Sequence, residues 1–181
     1  MEMYKRIFAA TVLLIMLAVI YQAWAGEEMK LTVRSPVFMQ GDRVPAKYTC
    51  DDEDVSPPLY WSPGPTATES YALIAGDPDA PGGSFTHWLM YNIPFNVTRL
   101  EEHVSAVDRL GDGTLQGKNS YGRTGYGGPC PPPGNPHHYH FSVYALDTRL
   151  KLGPGASKDD LFGAMRGHVL AQGELTGIYG R

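Results

Sequence analysis

The chain has 181 residues and a formal net charge of −4 at pH 7, without a clustered run of lysine and arginine. Nucleic acids and anionic lipid surfaces both require clustered basic side chains, so the composition argues against both classes of partner. The length fits one domain with a core of ordinary size.

The N-terminal segment has the pattern of an export signal. A short basic start precedes an apolar, uncharged run over residues 7–20, and the small residues Ala23 and Ala25 occupy the positions that a signal peptidase reads. We therefore predict a signal peptide at 1–25 and a mature domain at 26–181, located in the periplasm or outside the cell. The alternative is an uncleaved membrane anchor, because the same segment is just long enough to span a bilayer.

Proline and glycine divide the remainder into short segments, which is typical of a β-rich domain. The predicted strands are 30–33, 59–61, 71–75, 87–92, 139–146 and 174–179. Residues 71–75 are nearly all apolar, which predicts a strand buried on both faces.

One helix is predicted near the C-terminus. It begins after a cap at Ser157 and ends at Gly173, because a hydroxyl favours the first position and glycine favours the last. Its apolar stripe consists of Leu161, Met165, Val169 and Leu170. A second, short helix is predicted over residues 101–110.

Cys50 and Cys130 are the only cysteines in the sequence. An even number in an exported chain favours a disulfide, because the compartments outside the cytoplasm are oxidising. Two free, partly buried thiols are the alternative, and the sequence leaves both open.

Three segments place polar side chains beside rigid backbone. Residues 77–81 read Asp-Pro-Asp-Ala-Pro and directly follow the buried strand, His87 precedes Trp88, and a stretch rich in proline and glycine over 125–134 leads to His137. Taken singly, these are typical of a turn, a hydrogen-bonded structural histidine and a stiff polyproline connection.

Together the three segments resemble the phosphatidylethanolamine-binding protein family, in particular its bacterial and archaeal branch, which is described as Raf-kinase-inhibitor-like. The resemblance also includes residues 54–59, 91–94 and 119–122, and it covers nearly all of 26–181. It implies a mainly β fold in which a large antiparallel sheet packs on a smaller sheet, with a C-terminal helix. It also implies a small pocket for anions such as phosphate or carboxylate groups.

The resemblance places Asp77, His87 and His137 in that pocket. The residues that match its rim and walls are Asp79, Pro81, Gly128, Pro129 and Tyr139. The family usually has arginine between the late histidine and the tyrosine, where this chain has His138. Without that permanent cation, the electrostatics of the rim are expected to depend on pH.

An anion needs hydrogen-bond donors, and two imidazoles, a tyrosine hydroxyl and the backbone N–H groups of Gly127 and Gly128 can supply them. Asp77 is expected to orient an imidazole and to favour its charged form. Phosphate-like anions are therefore expected to bind better as the pH falls from about 7.5 to about 5.5. The expected partner is a small anion or a phosphorylated head group, with no cofactor and no metal.

Two other functions stay open. A hydrolase could bind zinc through the histidines and aspartates, or could use Ser84 or Tyr139 beside His87. The sequence has no His-x-x-x-His, Cys-x-x-Cys or nucleophile-elbow pattern, so we predict no catalytic residue and no enzyme. The resemblance also implies inhibition of a peptidase, or regulation of another protein, through the pocket rim, with an unidentified target.

Overall fold

The computed structural model describes residues 29–181, and the predicted signal peptide lies outside the described residues. The strands are β1 (Met29–Lys30), β2 (Val33–Arg34), β3 (Leu59–Trp61), β4 (Ser70–Asp77), β5 (Phe85–Pro94), β6 (Arg99–Leu100), β7 (Leu115–Gln116), β8 (His137–Leu146) and β9 (Val169–Tyr179). The helix α1 (Lys158–Met165) lies between β8 and β9. In the part of the chain that is described, no helix has the length and apolar character needed to cross a membrane.

The strands form two sheets. A six-stranded sheet has the order β1-β9-β8-β4-β5-β7, and a three-stranded sheet has the order β2-β3-β6. The predicted architecture of a large sheet on a smaller one, with a helix near the C-terminus, is confirmed. The large sheet is antiparallel except at its edge, where β1 pairs with β9 in parallel.

Strand β4 is buried on both faces, as its apolar sequence predicts. Leu73 points into the core between the sheets, where it shares a cluster with Trp61 of the smaller sheet. Ile74 points to the opposite face, where it shares a second cluster with Leu161 of α1. Because full burial of such a side chain contributes about 1.5–3 kcal/mol, both clusters hold β4 rigidly at the centre of the domain.

The N-terminal strand and the helix differ from the predictions. Residues 30–33 form parts of two strands in different sheets, because β1 pairs with β9 whereas β2 pairs with β3. The helix ends at Met165 rather than at Gly173. Gly167 adopts a left-handed φ of 81°, which stops the helix, and Val169 already begins β9.

The short helix predicted over residues 101–110 is wrong. The backbone of this segment is paired with other parts of the chain. Val104 N donates to Ser56 Oγ at 2.9 Å, and the side-chain amide of Gln116 donates to the carbonyls of Ser105 and Val107, each at 2.8 Å. These bonds satisfy the polar groups that a helix would otherwise pair internally.

Candidate functional site

One end of the large sheet collects the termini of four strands. β4 ends at Asp77, which pairs with Phe85 at the start of β5, and β8 begins at His137, which pairs with Tyr179 at the end of β9. The four strands are neighbours in the order β9-β8-β4-β5. Antiparallel pairing therefore brings these four strand termini to the same end of the sheet. A cavity of about 480 Å³ opens there.

Most of the predicted pocket residues meet at this cavity. The predicted residues that line it are Asp77, Pro81, His87, His137 and Tyr139. Asp79, Gly128 and Pro129 are not among the described residues that line it. The lining residues that the sequence did not indicate as pocket residues are Ala80, Phe85, Tyr121, Cys130, Pro131, Pro132 and Arg181.

His87 reaches the cavity through a β-bulge. Ala75 pairs with Trp88 and Gly76 pairs with Thr86, so His87 is the extra residue of β5 at this point. A bulge leaves its extra residue unpaired and changes the direction of the side chain. The backbone carbonyl of His87 instead accepts from Gly127 N at 3.0 Å.

The tautomer of His87 follows from its second bond to Gly127. Its ring Nδ1 lies 2.6 Å from the carbonyl oxygen of Gly127. A carbonyl only accepts hydrogen bonds, so Nδ1 carries the proton and Nε2 is a free acceptor in the neutral ring. The side chain that orients His87 is therefore not Asp77, because a backbone carbonyl performs this role.

Aromatic rings enclose the imidazole of His87. Its ring centroid lies 4.9 Å from that of Phe85, 5.9 Å from that of Tyr121 and 5.2 Å from that of Tyr139. Burial lowers the pKa of His87, and the carbonyl of Gly127 and the charge of Asp77 oppose this effect only in part. We conclude that His87 is neutral at neutral pH.

Asp77 orients His137 instead. Its Oδ2 accepts from Nδ1 of His137 at 2.8 Å, and its Oδ1 accepts from the backbone N of Asp79 at 2.8 Å. Both side chains are buried, with 3% of Asp77 and 8% of His137 exposed. The carboxylate fixes the proton on Nδ1 of His137 and leaves Nε2 for a ligand.

Tyr139 contributes a buried hydroxyl to the cavity. Only 2% of the residue is exposed, and its hydroxyl makes no hydrogen bond of regular geometry among the described residues, although it interacts with the carboxylate of Asp77. Burial raises the pKa of Tyr139, and the charge of Asp77 and the interaction with its carboxylate add to this effect, so the hydroxyl stays protonated and is a donor.

The glycine N–H groups are not free for a ligand. Gly127 N donates to the carbonyl of His87, and Gly128 N donates to Oδ1 of Asp54 at 2.6 Å. Gly128 has no room for a side chain, because a Cβ there would lie 2.5 Å from the carbonyl oxygen of Tyr48. Gly128 and Pro129 thus lie next to the lining residues but are not among the described residues that line the cavity.

A disulfide joins Cys50 to Cys130 and closes one wall. This is one of the two alternatives that the sequence left open. Cys130 and the next two prolines line the cavity, while Cys50 N donates to the carbonyl of Pro129 at 3.1 Å. The covalent bond and this hydrogen bond together hold the proline-rich segment against the segment around Cys50.

At the rim, Asp79 pairs with His138. Its Oδ2 accepts from both the backbone N and the ring Nδ1 of His138, at 2.9 and 2.7 Å. These bonds from His138 lower the pKa of Asp79. His138 is thus paired with an aspartate, and about half of its side chain is exposed.

Of the groups suggested for hydrolysis, Ser84 lies apart from the cavity, whereas Tyr139 and His87 lie beside each other on its lining. Ser84 is not among the described residues that line the cavity, and its hydroxyl accepts from Nζ of Lys158 at 2.9 Å. Both oxygens of Asp77 already accept hydrogen bonds from N–H groups. Among residues 29–181, no group of three or more His, Cys, Asp and Glu side chains is placed to hold a metal ion.

In comparisons with known sequences, nearly the whole described domain matches one family. A family model described as phosphatidylethanolamine-binding protein matches residues 34–180. A UPF0098 protein from Methanothermobacter thermautotrophicus is 50% identical over 151 residues, which cover 83% of this chain and 99% of the relative. A UPF0098 protein from Pyrococcus horikoshii is 48% identical over 160 residues, which cover 86% of this chain and 80% of the relative.

Two solved structures share the fold. A phosphatidylethanolamine-binding protein homologue from Chlamydia trachomatis matches with a TM-score of 0.76 and 37% identity, over 84% of this chain and 98% of the homologue. YbcL of E. coli, described as a member of the mammalian PEBP family, matches with a TM-score of 0.78 and 34% identity, over 84% of this chain and 99% of YbcL.

Proposed function

Because the chain belongs to the phosphatidylethanolamine-binding protein family, we propose that its cavity binds a small oxyanion of the phosphate or carboxylate type without converting it. The observation that carries this proposal is the polar floor of the cavity, formed by Asp77, His87, His137 and Tyr139, in which both imidazoles are held by hydrogen bonds at Nδ1. The protonated phenol of Tyr139 is a hydrogen-bond donor, and an oxyanion offers the oxygens that such a donor needs.

The hydrogen bonds of the floor also define the protonation of the complex. In their neutral forms, His87 and His137 both present Nε2 as an acceptor, because their Nδ1 protons are already used. An oxyanion therefore needs one more proton, either on Nε2 of His137 or on itself, as in a monohydrogen phosphate group. A phosphate monoester has a second pKa of about 6, so above that pH either route takes up a proton and the affinity for a monoester increases as the pH falls.

The walls accommodate more than the charged group. The cavity volume lies within the range of about 300–1,000 Å³ that is typical of ligand pockets. Phe85, Tyr121 and Pro132 give its walls an apolar character. A phosphate monoester fits this arrangement, with its oxygens on the floor and its substituent along the wall. Its source is either a free phosphorylated compound or the head group of a phospholipid.

We also propose that the protein is exported and acts outside the cytoplasm. The signal-like pattern of residues 1–25 and the disulfide between Cys50 and Cys130 support this location, because such bonds persist in oxidising compartments. Cell fractionation and the mass of the recovered protein test it. A processed protein that begins at Gly26 is the expected result, and a reduced, full-length cytoplasmic protein contradicts the proposal.

Calorimetric titration tests the binding function. The purified protein is titrated with inorganic phosphate, phosphoethanolamine and acetate, beside a variant that carries His87→Ala and His137→Ala. Saturable binding by the parent protein, lost in a variant that still melts cooperatively, is the expected result. Tighter binding of phosphoethanolamine than of phosphate favours a head group as the ligand. No binding of any of the three anions by the parent protein overturns the proposal.

A further inference from the structure

The negative charge of Asp77 in the cavity opposes the binding of an anion. Asp77 brings a carboxylate to the floor, and burial lowers the pKa of His87, so that this ring carries no charge at neutral pH. Of the floor residues, only His137 is left to offset the carboxylate, and only when it is protonated. Above the range in which histidine is charged, the floor alone is negative and repels an oxyanion.

Arg181 brings a permanent positive charge to the same cavity. It is the only lysine or arginine among the described residues that line the cavity. It follows the end of β9, and the pairing of Tyr179 with His137 fixes this end of the strand beside the start of β8. A guanidinium is charged at every physiological pH and suits the planar recognition of phosphate and carboxylate groups.

The guanidinium of Arg181 is held in place by two contacts outside the cavity floor. Its Nε donates to the carbonyl of Pro131 at 2.8 Å, and its Nη1 lies 3.4 Å from Oδ1 of Asp51. Asp51 is itself fixed, because its Oδ2 accepts from the hydroxyl of Tyr179 at 2.7 Å. The Nη2 group has no hydrogen-bond partner among the described residues.

The disulfide connects the two anchors of Arg181. Asp51 follows Cys50 in the chain, and Pro131 follows Cys130, so the bond between the two cysteines holds both anchors together. The side chain is therefore oriented before a ligand arrives. Such pre-organisation reduces the entropy that is lost when the ligand binds.

We propose that Arg181 supplies the fixed positive charge with which this cavity holds its oxyanion. The inference rests on the proposed function and identifies the residue that makes it work at neutral pH. His138 on the rim is paired with Asp79, as Arg181 is with Asp51, but only the guanidinium is charged at every physiological pH. The fixed cation thus comes from beyond the end of β9, beside the disulfide-bonded wall.

The test compares three variants by calorimetric titration with inorganic phosphate at about pH 7.5, where most histidine is neutral. Arg181→Gln removes the charge, Arg181→Lys keeps it, and Arg99→Gln is the matched control. Arg99 lies in the smaller sheet and pairs with Glu101, outside the lining of the cavity. The melting temperature of each variant shows whether it is folded.

We expect Arg181→Gln to weaken phosphate binding about tenfold to 100-fold, as is typical for the loss of a charged hydrogen bond. Arg181→Lys should recover a clear part of this loss, and Arg99→Gln should bind like the parent protein. Equal binding by the parent protein and Arg181→Gln overturns the inference and leaves the proposed function standing. Equal losses in the Gln and Lys variants also overturn it, because the charge would then not matter. No binding by the parent protein defeats the proposed function itself.

Discussion

Two aspartate–histidine pairs of similar length lie close together in the sequence of this domain, one buried and one exposed. Asp77 pairs with His137 at 2.8 Å on the cavity floor, where both residues are less than 9% exposed. Asp79 pairs with His138 at 2.7 Å on the rim, where their side chains are 43% and 52% exposed. The same chemistry serves different purposes in the two places, because water screens the second pair and not the first.

The difference shows how position decides what such a pair can do. The buried carboxylate has an N–H donor on each oxygen and fixes one imidazole tautomer for a ligand. The exposed carboxylate uses one oxygen to connect the loop after β4 to the start of β8. We therefore expect perturbations of the floor to change both binding and stability, and perturbations of the rim pair to change little.

The largest effect is expected for the disulfide-bonded wall of the cavity. Replacing Cys50 and Cys130 by serine removes a link across 80 residues, which should lower the free energy of unfolding by about 4 kcal/mol in the chain-entropy model. Urea unfolding of the oxidised parent protein and of the double variant measures this difference. Reduction of the parent protein should reproduce it, and identical unfolding midpoints would contradict the prediction.

The second-largest effect is expected when the pair of Asp77 and His137 on the cavity floor is broken. Asp77→Asn keeps the shape of the side chain but removes the charge that His137 and the backbone N of Asp79 contact. We expect a loss of about 2 kcal/mol in unfolding free energy and a change in phosphate affinity, because the variant alters the bond that orients His137 and removes the charge that repels an oxyanion. Asp79→Asn is the matched control, since it makes the same substitution two residues further along the chain.

The pH dependence of the unfolding free energy should reveal the lowered pKa of His87. Because burial lowers its folded-state pKa, the unfolded state binds its proton more tightly than the folded state. The contribution of neutral His87 to stability is complete above the unfolded value of about 6.5 and is lost as the pH falls from there through the folded-state pKa. Unfolding free energies from about pH 7.5 to about pH 5 should thus fall more steeply for the parent protein than for His87→Gln. Parallel curves would contradict this prediction.

The rim pair should give the smallest effect. The hydrogen bonds from His138 lower the pKa of Asp79, so its contribution is present above about pH 3.8 and is lost as the pH falls through the folded-state value. Because the pair is exposed, Asp79→Asn should cost less than about 1 kcal/mol and change phosphate affinity less than about threefold. Effects as large as those of Asp77→Asn would refute the distinction between floor and rim.

Much of the fold and part of the cavity can be predicted from local sequence patterns. The apolar run at β4 predicts a strand buried on both faces, and five of the eight predicted pocket residues line the cavity. The helix is predicted at its start, where Ser157 forms a capping box with Asp160. The end of the helix is not predicted, because Val169 fits the apolar stripe of a longer helix. The pairing of β9 with β8 overrides that pattern.

The remaining features depend on register and on contacts between distant segments. The bulge that exposes His87 to the cavity exists only in the pairing of β4 with β5. The N–H groups of Gly127 and Gly128 are occupied by His87 and Asp54, which no local pattern reveals. Arg181 could have been found from the expectation that the last strand lies antiparallel to the strand that begins at His137.

The central claim, that this floor holds an oxyanion, is tested most directly by a crystal structure of the protein soaked with arsenate at about pH 6, where binding should be favoured. Arsenic scatters anomalously and mimics phosphate in shape and charge. We expect one anomalous peak in the cavity, with arsenate oxygens within hydrogen-bond distance of the Tyr139 hydroxyl and Nε2 of His137. Arsenate bound only elsewhere, or a cavity that holds only water, would contradict it.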